Sequence, residues 1–92
     1  MYEIFFSARF KKDFKRLKKQ GRNISKLMAV LERLASGEEL PPSMHDHQLI
    51  GDYHEHRECH IEPDWLLIYR IDKGELVLTA TRTGSHAELF DK

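Results

Sequence analysis

Apolar positions change their period along this chain, and the changes mark its elements. Tyr2–Ser7 is apolar and aromatic and predicts a first strand. Phe10, Phe14 and Leu17 then recur at four and three, one face of a helix for which Ser7 is a suitable cap. Gly21 is a natural stop, because glycine accepts the left-handed conformation past a helix end. Asn23 or Ser25 can cap a second helix whose apolar positions are Leu27, Leu31 and Leu34, with Ile24, Met28 and Val30 alongside. Gly37 ends it, Pro41-Pro42 forbids its resumption, and the short joint predicts a helical hairpin.

Beyond the prolines the pattern turns to strands. Residues 38–53 are polar and turn-rich and predict a long loop, with a short strand at His47–Ile50. Tyr53–Ile61 predicts a strand with Cys59 and Ile61 on one face and Glu58, His60 and Glu62 on the other. Pro63 interrupts it. Trp65–Ile71 is nearly all apolar, as expected of a central strand buried on both faces. Asp72-Lys73-Gly74 makes a tight turn, Glu75–Thr83 is the last strand, and a short turn from Ser85 or His86 closes at Phe90. The predicted order is β-α-α-β-β-β, an α+β fold with a mostly antiparallel sheet packed on the hairpin.

A length of 92 residues suggests one domain, 1–92, with a modest core. No run approaches the roughly 18 apolar residues of a membrane helix, and MYEIFFSARF lacks the features of a secretory signal. The single cysteine, Cys59, cannot make an internal disulfide and excludes a multi-cysteine zinc module. A cytoplasmic location is therefore expected.

Charge adds what the apolar pattern does not show. The formal net charge is zero, yet residues 1–35 carry ten Lys or Arg against three acids, and residues 36–64 carry one against eight. A basic helical half can bind a polyanion locally even in a neutral chain. All six histidines follow residue 44, and five lie between His45 and His60. Histidine titrates nearest neutral pH, so this enrichment points to acid–base or metal chemistry.

Three clusters can carry chemistry: Asp46-His47; Glu58 to Trp65; and Arg82-Thr83-Gly84-Ser85-His86 with Phe90. Converging strand ends would bring together three histidines, a carboxylate and an arginine. That set suits cleavage of a phosphodiester by the adjacent 2′-hydroxyl. The reaction needs a base for the 2′-OH proton, an acid for the leaving 5′-oxygen and a cation facing the charged phosphorus centre. Histidine supplies acid or base, each worth roughly 10²–10⁴-fold. Arginine offers a planar donor fork, a carboxylate can orient a histidine, and an aromatic ring can stack on a base. Taken singly, each of these residues has an ordinary reading: surface histidines, a core tryptophan, a small buried cysteine and a solvated lysine face. The pairs His45-x-His47 and His54-x-His56, with His60, also allow a zinc site, although the spacing fits no usual pattern.

The motifs Asp46-His47-Gln48-Leu49 with Gly51, His60-Ile61-Glu62-Pro63-Asp64-Trp65 and Arg82-Thr83-Gly84-Ser85-His86-Ala87-Glu88-Leu89-Phe90 resemble those of the RelE/ParE toxin superfamily, and within it the YafQ-type mRNA interferases. The resemblance covers nearly the whole chain. It implies a type II toxin that cuts mRNA in the ribosomal A site by 2′-hydroxyl attack, without metal or other cofactor, and is neutralised by a cognate antitoxin. His47, His60, Asp64, Arg82 and His86 would be catalytic, with Glu58 a minor candidate. Trp65 and Phe90 would shape the nucleotide pocket. Lys11, Lys15, Lys18 and Lys19 would contact RNA phosphates, with the salt sensitivity such contacts bring. The free toxin would be monomeric and have no membrane partner. Gln48 departs from the proline often found after the first histidine, and His45, His54 and His56 receive no role. The alternative is a ParE-like inhibitor of DNA gyrase, for which the histidines would be dispensable.

Overall fold

A computed structural model describes residues 1–90. Strand β1 (Glu3–Phe6) leads into helix α1 (Ala8–Lys19), followed by α2 (Ile24–Ala35), β2 (His47–Gln48), β3 (Arg57–Glu62), β4 (Trp65–Asp72), β5 (Val77–Gly84) and α3 (His86–Phe90). The five strands form one sheet in the order β1-β5-β4-β3-β2. Every pairing is antiparallel except that of β1 with β5. The two helices between β1 and the rest of the sheet make that parallel return possible, since a parallel pair needs a long crossover.

The helix ends follow local chemistry. Ser7 caps α1, its hydroxyl oxygen accepting the Phe10 N–H at 3.0 Å while its O–H donates to the Thr81 carbonyl at 2.7 Å. Gly21, at φ 78°, takes the left-handed conformation that lets the Arg22 N–H reach back to the Leu17 carbonyl. Asn23 precedes α2 as expected, but its side chain accepts from the Ser25 hydroxyl instead of capping the helix backbone.

One face of the sheet carries the main core. Phe10, Leu17, Leu27, Val30, Leu31 and Leu34 from the helices pack on Cys59, Ile61, Trp65, Leu67, Tyr69, Leu78 and Ala80 from the strands. The opposite face buries a smaller group, Leu66, Ile68 and Leu89, with Leu49 and Tyr53 against it. Strand β4 is thus covered on both sides, as its continuous apolar run predicts.

The expected strand from Tyr53 begins only at Arg57. Residues Gly51–Tyr53 form a 3-10 turn, and the His54 and His56 N–H groups bond back to Gly51 and Tyr53. The loop before it is pinned at Asp46, which accepts two bonds from the Arg57 guanidinium and one from the Tyr69 hydroxyl at 2.7 Å. No helix among the described residues is long and apolar enough to cross a membrane.

Candidate active site

Glu58 and His60 lie two apart on β3 and so share a face, opposite the one that Cys59 and Ile61 turn to the helices. His47 on β2 is the cross-strand partner of Glu58. His86 opens α3, just past the end of β5. These separate elements surround the buried Glu58 carboxylate with three imidazoles. The Nε2 atoms of His47 and His60 are both 3.6 Å from its oxygens, and that of His86 is 3.9 Å away. These distances are too long for hydrogen bonds, and a protonated imidazole at any of them would form an ion pair with the carboxylate. The His60 and His86 rings stand edge to face with centroids 5.8 Å apart.

Asp64, in the turn between β3 and β4, fixes His86. One carboxylate oxygen accepts the His86 backbone N–H at 3.2 Å and faces its Nδ1 at 3.1 Å. The backbone N–H first, and then the ring, hold the Asp64 carboxyl below its usual range. An ionised Asp64 can only accept, so His86 Nδ1 donates to it and Nε2 is left to face Glu58.

A capping box seats His86 from below. The Ser85 N–H donates to Glu88 Oε1 at 2.9 Å, and the Glu88 N–H donates to the Ser85 hydroxyl at 3.1 Å. Gly84 precedes it at φ 154°, a conformation that favours glycine. A Cβ there would come within 2.6 Å of an Arg16 nitrogen and 2.8 Å of Glu88 Oε1. The Gly-Ser-His-Ala-Glu stretch is therefore a mount for one imidazole.

Arg82 does not stand free at the site. It is bound by Asp13 of α1 through Nε at 2.8 Å and Nη2 at 3.1 Å. It lines a cleft of about 580 Å³ with Arg9, Ile50, Asp52, Tyr53 and Phe90. Phe90 is 38% exposed, and its ring contacts those of His86 and Tyr53, each at 6.3 Å between centroids. The residue expected to shape the nucleotide pocket thus lies at the edge of this cleft, next to His86.

Trp65 must be reassigned. The expectation that it shapes the nucleotide pocket fails, because its side chain is fully buried on the helix face of the sheet. Its indole N–H donates to Thr83 Oγ1 at 2.9 Å, and that hydroxyl donates to the Leu66 carbonyl. Strand alternation places Trp65 with Leu67 and Tyr69, on the other side of the sheet from His60.

The lysines also lie apart from the histidines. Lys11 and Lys15 edge an apolar cleft formed by Phe6, Phe10, Phe14 and Met28, and the Lys18 ammonium lies over the Phe14 ring. Lys19 is exposed near the helix end. Two other cations of α1 face the site side: Arg9, which lines the Arg82 cleft, and Arg16, which pairs with Glu88.

Cys59 is fully buried, and its thiol is pushed up to about 12, first by burial and then by the nearby Asp46 and Glu58 charges. It stays protonated and offers no nucleophile. Glu58, His60 and His86 each bring one ligand atom to within 4.8 Å of the others, a geometry that can hold a transition-metal ion. The zinc set drawn from sequence is not assembled: of its members only His60 belongs to this group, and His54 is turned to solvent beside Glu55.

Comparison with known proteins places this geometry. The family described as a bacterial toxin of type II toxin–antitoxin systems, YafQ, matches residues 2–91. The mRNA interferase toxin YafQ of Escherichia coli K12 is 36% identical over 89 residues, covering 96% of this chain and 95% of that protein. In the crystal structure of the E. coli DinJ–YafQ complex, a chain 35% identical superposes with a TM-score of 0.89, covering 98% of this chain and 99% of that one. A metal-bound toxin from Helicobacter pylori is 44% identical with a TM-score of 0.92, covering 98% of this chain and all of that one. The sheet and the helical hairpin, with these matches, define a small α+β toxin of the RelE-like class. Within it, the chain belongs to the YafQ family.

Proposed function

We propose that this protein is an mRNA endoribonuclease that acts on the translating ribosome in the cytoplasm and is neutralised by a cognate antitoxin. The observation that carries the reading is the meeting of His60 and His86 at one buried carboxylate, Glu58, with Asp64 on the far nitrogen of His86. The names of the relatives support it: the E. coli protein is an mRNA interferase, and its structure is known in complex with DinJ.

In this mechanism one imidazole removes the 2′-hydroxyl proton. The oxygen attacks phosphorus, a 2′,3′-cyclic phosphate forms and the bond to the 5′-oxygen breaks. The other imidazole protonates that leaving oxygen. His60 and His86 form the acid–base pair, and Glu58 holds both and stabilises whichever is charged. His47 completes the ring around Glu58 as a positioning or alternate proton-carrying group. Arg82 turns toward a phosphate the N–H groups that its Nε and Nη2 bonds to Asp13 leave over. Phe90 supports a base beside it, and the exposed lysines of α1 contact ribosomal RNA. The proton transfers need no metal, since both roles are filled by side chains.

The test is a translating extract with one defined mRNA and 5′ ends mapped by primer extension. New ends in register with the reading frame, absent with His86→Ala and unaffected by a chelator in magnesium excess, are expected. Growth arrest in cells with no new ends in the extract would replace this reading with gyrase-type inhibition.

A further inference from the structure

Beside the His60–His86 pair, on the side away from Phe90, lies a second cleft that the mechanism does not use. It has a volume of about 490 Å³ and is walled by Pro41, Met44, His45, His60, Ile61 and Pro63. His45 follows the 3-10 turn Pro42–Met44 and takes φ 51°, ψ 45°, a left-handed conformation uncommon outside glycine. That backbone sets its exposed ring edge to face with His60, centroids 5.5 Å apart. The rings therefore run in a row: His45, His60, His86, Phe90, Tyr53, with neighbouring centroids between 5.5 and 6.3 Å apart. His45 and Phe90 flank the pair from opposite sides.

We propose that the His45 cleft is a subsite for a nucleobase, the one across the scissile phosphodiester from the base that Phe90 supports. The inference rests on the nuclease reading above and extends it to a residue with no assigned role. A bond being cut joins two nucleotides, so a site that grips its phosphate at His60 and His86 has a base to place on each side.

The chemistry of the cleft fits a base and not a phosphate. Its walls are proline faces, aliphatic chains and imidazole, and no lysine or arginine lines it. Its one carboxylate, Glu62, is engaged by Lys26 at 3.0 Å and Arg22 at 3.6 Å, so it does not present a bare negative charge to RNA. Flat apolar walls with an imidazole edge accept any π-face, while Ser43 and Glu62 at the rim can read its polar edge.

The test compares wild type, His45→Asn, His45→Phe and Phe90→Ala in the translating extract. The mRNA carries all four bases on each side of the cut. Asparagine tolerates the left-handed backbone and removes the ring; phenylalanine restores a ring without a titrating nitrogen. Thermal melts accompany each variant. His45→Asn is expected to lower cutting roughly tenfold, the scale of one lost base stack. It should also flatten base preference on one side of the cut only, with Phe90→Ala affecting the other side and His45→Phe near wild type. Wild-type yield and preference in His45→Asn would overturn the subsite. So would a folded His45→Phe as weak as His45→Asn, since the imidazole nitrogens and not stacking would then matter. A wild type that leaves every mRNA intact would remove the nuclease reading itself, and this subsite with it.

Discussion

Asp13 grips Arg82 with both carboxylate oxygens, at 2.8 and 3.1 Å, across 69 residues of sequence. The same two oxygens also accept the Arg16 guanidinium and the Thr83 backbone N–H. One carboxylate in a helix thereby sets the direction of a strand's arginine and the position of the residue after it. Asp13 is 2% exposed, so the pair is shielded from screening. Burial alone would raise its carboxyl, but the bonds from Arg82, Thr83 and Arg16 outweigh that and hold it below its ordinary 3.8.

Removing the acid should therefore cost fold stability as well as activity. Asp13→Ala leaves the part-buried Arg82 guanidinium and the buried Thr83 N–H without their acceptor and is expected to lose about 1–3 kcal/mol, read by denaturant unfolding at neutral pH. The pH dependence has a definite sign. A carboxyl depressed on folding contributes stability that is complete above its unfolded value and lost as pH falls through the folded one. Unfolding curves taken at pH 7, 5 and 3 should show wild type weakening at the acid end, below about pH 4. Asp13→Asn should start weaker and change less. An equally steep acid loss in the variant would assign the dependence to other carboxylates.

His60→Ala and His86→Ala are each expected to reduce cutting by about 10²–10⁴-fold while melting like wild type, since neither ring supports the core. Asp64→Asn should cost less than His86→Ala, because it loosens the imidazole without removing it. Growth arrest on induction gives the first readout, and primer extension the second. A folded His86→Ala that still arrests growth would show that this imidazole is not part of the chemistry.

Leu31→Ala addresses the core instead. Leu31 is fully buried between the helices and the sheet, so the substitution should destabilise by about 2–5 kcal/mol. Circular dichroism melts at equal concentration would detect it. A transition within a degree of wild type would mean that the cavity closes.

Metal should act on this site as an inhibitor. The atoms that can hold an ion belong to His60 and His86, to which proton transfer is assigned, and to Glu58 between them, so occupancy blocks them. Micromolar copper or zinc in a reconstituted translation assay is expected to suppress cutting, and a chelator to restore it. Stimulation by either ion would give the cluster a catalytic metal role in place of the acid–base one.

Much of this structure can be read from local pattern, and what cannot is long-range. Phe10, Phe14 and Leu17 announce α1, and the run from Trp65 announces the central strand, because period and burial are coupled over a few residues. His60, Asp64 and His86 stand in short motifs, and the fold brings the three side chains together. Glu58 was held as a minor candidate, since nothing nearby in sequence shows that three elements will aim imidazoles at it. Asp13 is the one acid of α1, and its partner Arg82 lies 69 residues away. Its spacing was nevertheless informative, for it sits three after Phe10 and four before Leu17, on the buried face. Trp65 shows the converse: alternation with Leu67 and Tyr69 put it in the core, and its motif context argued for a pocket.

The parallel pairing of β1 with β5 has a consequence for the life of the chain. Glu3 aligns with Val77, so the first strand waits for the last before it has a partner. His86 comes later still, and its mount is built from the residues around it. In synthesis the basic hairpin emerges well before β5 and the proposed acid–base group His86 that follows it. Fragments stopped short of residue 86 carry the hairpin surface without the imidazole to which proton transfer is assigned, so harm to the ribosome that makes them waits until that residue is in place.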